Sequence, residues 1–446
     1  MTRWTSAQVA DALGTSAPTG ATYSGVSTDT RQLAPGDLFV ALQGERFDAH
    51  AFLAAAQGHG AAAAVVRRGT PPVDGLPFFE VADPLAALGL LARARRRQLA
   101  PDRPVVAVTG SSGKTSTKEM IRAVLATSYR VHATSGNLNN LVGVPLTILG
   151  APDDADALVV EAGASVPGEV ARLRDVIEPT IAVITNVGYA HVEGFGSLAG
   201  VMREKLALVD GARVAVVGTD PAELAVEARR RARTVVAGTD PTAQVRPDHS
   251  ELDADGYARL TWQGHTVTLP VVGFHQIENA MVALAVGRES GTDPARGVAA
   301  LAGVRIPPGR ATLREIGGRT VIDDTYNANP TSLHWVLQFA HWLAARRGRS
   351  LAVVVGSMLE LGAESARLHA AAAAEIVAAD PALVAAVGAF APAFAPYRAA
   401  LGRRLITAPD AEALGPQLRE ALPGDAIVLL KASRGVALER VLRHLD

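Results

Sequence analysis

The chain has 446 residues, 48% of them hydrophobic and 20% charged, with a net charge of −1 and no cysteine. The length is too great for one typical core and predicts roughly two to four domains, while the near-neutral charge gives no field that would favour nucleic acid or an anionic membrane. The lack of cysteine excludes disulfides, thiolate metal sites and cysteine nucleophiles, and fits a soluble, cytoplasmic chain.

The N-terminus, Met1-Thr2-Arg3-Trp4-Thr5, has no signal-peptide apolar stretch, and no uncharged apolar run reaches membrane-spanning length. Over the first hundred residues, apolar strands at Asp37–Leu42, Ala63–Val66 and Phe78–Val81 alternate with alanine-rich helices at Ala49–Ala56 and Pro84–Leu99. The proline-punctuated stretch 98–104 reads as a linker. A second unit carries strand cores at Val105–Val108, Ala157–Val160, Thr180–Ile184, Val214–Val217 and Thr234–Val236, with helical patterns between most of them. Such alternation predicts a parallel sheet covered by helices on both faces. Tyr257–Trp262 and Thr266–Val272 flank Gln263-Gly264-His265 and predict a β-hairpin. After a second linker at 305–310, a third α/β unit carries strands at Thr320–Asp323, Ser350–Val355, Leu383–Val387 and Ala426–Leu430. The expected division is 1–102, 103–306 and 307–446.

The most informative segment is Thr109-Gly110-Ser111-Ser112-Gly113-Lys114-Thr115-Ser116, between a buried strand and a helix. Strand, glycine turn, Gly-Lys-Thr and helix form the layout of a phosphate-binding loop. The glycines admit phosphate to backbone N–H groups, and the helix N-terminus adds partial positive charge. Lys114 is placed for the terminal phosphates and the Thr115 hydroxyl for Mg²⁺. The distal glycine of the full pattern is replaced by Val108.

Other constellations stay open on residue chemistry alone. Glu161 directly follows a strand core, either as a hard oxygen ligand for Mg²⁺ or as a solvated or helix-capping carboxylate. His191 lies in a loop after a neighbouring strand, as a ligand or as a structural histidine. Lys205 sits in a helical segment and reads as a surface lysine. Asn279, near the start of a helix, suits adenine recognition or a plain polar turn. Arg310 and the run Asp323-Asp324-Thr325-Tyr326-Asn327-Ala328-Asn329-Pro330 place acids and amides at a strand end, for ribose, metal or amine, or as a turn. Lys431-Ala432-Ser433-Arg434 suits a carboxylate or phosphate, or is a solvated turn.

Together these segments resemble the Mur ligase family over nearly the whole chain. Thr109–Thr117 is similar to the family's Thr-Gly-Ser-x-Gly-Lys-Thr-x-Thr, which also accounts for Val108. Four segments resemble the branch that adds D-alanyl-D-alanine to a UDP-N-acetylmuramoyl tripeptide: 29–42, Gly136–Asn140 with Gly143-Val144-Pro145, His191–Ser197, and Asp323–Pro330. The Asp-Asn-Pro-Arg motif of the diamino-acid-adding branch is absent, and the N-terminal unit argues against a folylpolyglutamate-type ligase.

The resemblance implies three α/β domains: an N-terminal UDP-sugar-binding domain, a central P-loop ATPase domain with a parallel sheet, and a Rossmann-like C-terminal domain. It implies ATP and two Mg²⁺ ions, a carbamylated Lys205, the tripeptide and dipeptide substrates, and a monomer. Lys114, His191, Lys205 and Asp324 are implied as catalytic, and Thr115, Glu161, His191 and Lys205 as metal ligands. Nucleotide contacts are implied for 109–116, Asn279, Arg310 and Asp324. Substrate contacts are implied for Ser27, Asp29, Arg31, Thr134, Asn137, Asn139, Tyr326, Asn327, Asn329, Ser433 and Arg434. Gln276, Ser357 and Ala432 stand where the family pattern has Asn, Asp and Gly.

Overall fold

The computed structural model, which describes residues 4–44 and 47–445, opens with a short antiparallel pair, Trp4–Thr5 with Thr22–Tyr23, and continues into a sheet of four short parallel strands. These are Val26–Ser27, Leu38–Val40, Ala63–Arg67 and Phe78–Val81, paired in that order. The leader expectation at Met1–Arg3 falls outside the described residues. The helix Pro84–Arg96, capped by the Asp83 side chain, packs Leu88 and Leu91 onto this sheet. The expected helix at Ala49–Ala56 starts as a 3-10 turn, Ala49–Phe52, and continues as Leu53–Gly58.

The central sheet has six parallel strands in the order Thr234–Val236, Val214–Val217, Ile181–Ile184, Val105–Thr109, Ala157–Glu161, Val131–Ala133. Alternate residues feed two cores. Val106, Val108, Val183 and Val216 face one, and Ala107, Val160, Ala182 and Val217 face the other. Both faces are covered, which is why these strands read as continuous apolar runs. The expected hairpin forms as Tyr257–Trp262 and His265–Val272, with His249–Leu252 as a third antiparallel strand.

The third sheet also has six strands, in the order Thr312–Ile316, Arg319–Asp324, Ile427–Lys431, Leu351–Val355, Leu383–Val387, Leu405–Ala408. All pair in parallel except the first, which is antiparallel to its neighbour. The three strands that the sequence pattern misses in the larger sheets, Val131–Ala133, Thr312–Ile316 and Leu405–Ala408, are all edge strands. Their residues are largely half-buried or exposed, so they lack an apolar run. Segments 98–104 and 305–310 contain neither helix nor strand.

The first unit is fixed to the second through the end of the helix Pro84–Arg96. Arg93 and Arg97 both pair with Glu178, at 2.7 and 2.6 Å, and Arg96 donates to the carbonyls of Ile177 and Glu178. Cations in a helix's last turn also suit its dipole. Among the described residues, no helix is long and apolar enough to cross a membrane.

Candidate active site

Carboxyl ends of parallel strands are where an open α/β sheet binds ligands. There the central and third units enclose a cleft of about 840 Å³. The loop after Val105–Thr109 enters it and runs into the helix Lys114–Leu125, whose N-cap is Gly113 at φ +79. A Cβ on Gly113 would sit 2.6 Å from Asn279 Oδ1, and one on Gly110 would sit 1.9 Å from Thr185 Oγ1. A side chain at either position would therefore force its neighbour to shift. Asn186 shapes the loop by accepting Ser111 N–H on its carbonyl and Ser112 N–H on its side chain, at 3.1 and 2.9 Å. The first-turn N–H groups of the helix have no intrahelical acceptor and are left for an anion. Lys114 Nζ donates to Gly110 O at 2.8 Å, and burial lowers its pKa.

Beside the loop, Glu161 ends its strand and is 3% exposed. Its Oε2 accepts from Thr115 Oγ1 at 2.8 Å, its Oε1 from Asn139 Nδ2 at 2.9 Å, and its backbone N–H donates to Thr134 Oγ1. No cationic side chain is in ion-pair contact with this buried carboxylate among the described residues. A buried charge needs compensation. A carboxylate and a hydroxyl converging beside a phosphate loop fit Mg²⁺, which takes one or two carboxylates plus phosphate oxygens. Among the described residues no group of three His, Asp or Glu is placed to hold a metal by itself.

His191 also lines the cleft, at φ +56, with Nδ1 against the Glu360 carboxylate. Lys205 lies in the helix Leu198–Leu206, is 2% exposed and does not line the cleft. Burial, reinforced by repulsion from Lys114, drives its pKa well down. An amine whose charged form is disfavoured in this way is shifted toward the reactivity that carbamate formation needs.

The third unit supplies the opposite wall. Asn329 caps the helix Pro330–Arg347 by accepting Ser332 N–H at 2.8 Å, and its Nδ2 reaches Ser112 Oγ at 3.0 Å. The Tyr-Asn-Ala-Asn-Pro run is thus docked directly on the phosphate loop. The Arg310 guanidinium lies 3.9 Å from the Tyr326 ring centre, and its Nε is buried without a partner. Asp324 pairs with Lys431 at 2.6 Å and accepts Ala311 N–H. Lys431 Nζ also donates to Asn327 O at 2.6 Å. Asn137, Asn139, Tyr326, Asn327 and Asn329 all line the cleft.

Other sequence-selected residues are engaged in contacts of their own or lie apart from the cleft. Asn279 lines the cleft, but its amide is engaged with Thr117 Oγ1 and Gln276 Oε1. Thr134 is 2% exposed and holds the Glu161 backbone. Ser433 is buried, donating to Ala328 O and accepting Leu359 N–H. Arg434 turns outward to pair with Glu439 at 2.8 Å. Ser27, Asp29 and Arg31 belong to the first unit. There Arg31 forks onto Asp29 and holds its carboxyl down at about 2, while Ser27 Oγ donates to Asp29 O.

The cleft also contains Lys431, from the run read as suiting a carboxylate or phosphate, and four residues that sequence reading did not select: His275, Glu278, Trp335 and Glu360. His275 has its pKa pushed down to about 4 by burial, and burial raises that of Glu278. Lys431 was legible as a cation ending an apolar strand beside Ser433 and Arg434. Trp335 had no such signal, since one aromatic in a helical pattern reads as core.

Comparison with known proteins matches residues 108–287 to the Mur ligase middle domain and 309–434 to the Mur ligase, glutamate ligase domain. The chain is 35% identical to the UDP-N-acetylmuramoyl-tripeptide–D-alanyl-D-alanine ligase of Bacillus subtilis, across 94% of this chain and 93% of that protein. The chain belongs to the Mur ligase family. Among solved Mur ligases, MurF from Acinetobacter baumannii superposes with a TM-score of 0.89 at 31% identity, covering 100% of this chain and 99% of the other. MurF ligase from Thermotoga maritima, in complex with ADP, gives 0.83 at 30% identity, covering 94% and 96%. The three α/β units expected from the sequence are those of this Mur ligase architecture.

Proposed function

We propose that this Mur ligase joins D-alanyl-D-alanine to a UDP-N-acetylmuramoyl tripeptide at the expense of ATP. The observation that carries the reading is the docking of the Tyr326–Pro330 run on the phosphate loop, in a chain similar over its full length to ligases of that name.

A carboxylate is a poor electrophile, so the tripeptide's terminal carboxylate is first phosphorylated. One of its oxygens attacks the γ-phosphorus, the bond to the ADP oxygen breaks, and an acyl phosphate forms. The first-turn N–H groups at Lys114–Ser116 hold the phosphates, and Lys114 neutralises charge on the transferred group. Thr115 and Glu161 would hold Mg²⁺, which when bound screens the phosphate oxygens. His191 and a carbamylated Lys205 would serve a second ion. The dipeptide amine then attacks the acyl carbon, phosphate leaves with the former carboxylate oxygen, and the amine loses a proton. Closure of the third unit over the loop keeps water from the acyl phosphate.

On this reading the first unit, with Ser27, Asp29 and Arg31, binds the UDP-sugar end, and the domains divide at 102/103 and 306/307. Asn279, Arg310 and Asp324 lie toward the nucleoside, and the protein acts as a monomer in the cytoplasm. Carboxyl-¹⁸O tripeptide tests the chemistry. One ¹⁸O should appear in each inorganic phosphate released, and ¹⁸O-free phosphate would refute the acyl phosphate.

A further inference from the structure

Two left-handed residues meet across the boundary between the central and third units. His191 has φ +56 and Glu360 has φ +62, and neither is glycine. Such conformations are costly for residues with a Cβ, and they persist where surrounding contacts over-determine them. Here the contacts are reciprocal. The Glu360 carboxylate lies against His191 Nδ1, and the Glu193 backbone N–H donates to Glu360 O at 3.1 Å. Gly362 approaches so closely that a Cβ on it would lie 3.1 Å from Glu193 Cα. His191 Nδ1 is enclosed and has no well-angled hydrogen-bond partner, so the carboxylate is what faces it. Glu360 is not a core residue, because its side chain is 53% exposed. Its carboxylate also acts electrostatically on Lys114, as that of Glu161 does.

We propose that Glu360 is a positioning residue, carried by the third unit, which docks on Nδ1 of His191 and leaves Nε2 as the lone-pair nitrogen for a divalent cation. An imidazole that donates one N–H to a carboxylate has its tautomer and ring orientation fixed, and becomes a better ligand through the other nitrogen. Because the carboxylate arrives from another unit, cation binding at His191 and docking of the third unit favour each other. The proposal rests on His191 being a metal ligand, as in the function proposed above.

The test is Mn²⁺ binding to the full chain with a non-hydrolysable ATP analogue, followed by electron paramagnetic resonance. His191→Ala should remove one Mn²⁺ site. Glu360→Gln should weaken that site about tenfold, the low end for loss of a carboxylate behind a ligating histidine. Glu360→Gly, which relaxes the left-handed backbone but also lacks the carboxylate, should weaken it equally. Adding Glu360→Gln to His191→Ala should cause no further loss. If His191→Ala keeps every Mn²⁺ site, the metal role of His191 fails and the proposal with it. If His191→Ala loses a site but Glu360→Gln binds as the unmodified chain does, only the role of Glu360 fails. An equal loss from Glu360→Gln with and without His191 also overturns the proposal.

Discussion

Replacing Gly113 by alanine tests whether the phosphate loop is built as described. The new Cβ would lie 2.6 Å from Asn279 Oδ1, at a backbone φ of +79. The left-handed conformation costs alanine roughly 1–2 kcal/mol. Moving Asn279 aside also breaks its buried bond with Thr117 Oγ1, now 3.0 Å, worth about 1 kcal/mol. The free loop can relax out of this strain, so re-forming it around the nucleotide costs about 2–3 kcal/mol, which corresponds to ADP binding weakened on the order of thirty- to a hundredfold, at 1.4 kcal/mol per factor of ten. Titration calorimetry with ADP measures it, and a thermal melt separates the effect from unfolding. Asn279→Ala removes the clash but not the φ cost, so in that background Gly113→Ala should weaken binding only about five- to thirtyfold. Unchanged ADP affinity in Gly113→Ala, or a penalty that ignores Asn279, would refute this account of the loop.

Lys205→Met should abolish ligation yet melt no lower than the unmodified chain, because it removes a buried amine whose charged form is disfavoured. Lys205→Ala should recover part of its activity with added short carboxylic acids, and full activity without them would rule out the carbamate. His275 titrates at about 4 in the fold against 6.5 in the unfolded chain, so between those values only the unfolded chain binds the proton. Stability should therefore fall as pH drops through that window, by up to about 3 kcal/mol, and His275→Asn should flatten this part of a urea-denaturation profile. Trp335 lines the cleft, so its fluorescence should change on ADP binding and Trp335→Phe should lose that signal.

The legible parts of the fold are those buried on both faces. Val105–Thr109, Ile181–Ile184 and Leu351–Val355 have no polar face, so an apolar run is their signature. Edge strands such as Thr312–Ile316 bury one side at most and carry no such run. Within the site, Lys114, Thr115 and Glu161 were legible because each is close in sequence to a strand end, where an α/β sheet binds ligands. Glu360 and His275 were not, because their meaning depends on a unit far away in sequence: Glu360 on His191, and His275 first on its burial in the fold and then on the field of Asp324 and Lys431. Asn329 shows the same limit. The family resemblance implied a substrate contact there, and the folded chain adds two roles that no local pattern marks: its amide caps a helix and reaches Ser112.

Phosphate release measured with ATP and UDP-N-acetylmuramoyl tripeptide, with and without D-alanyl-D-alanine, tests the central claim most directly. The account predicts release that depends on the dipeptide, with one phosphate and one UDP-muramoyl-pentapeptide formed per ATP consumed. Release independent of the dipeptide, or none with both substrates present, would contradict it.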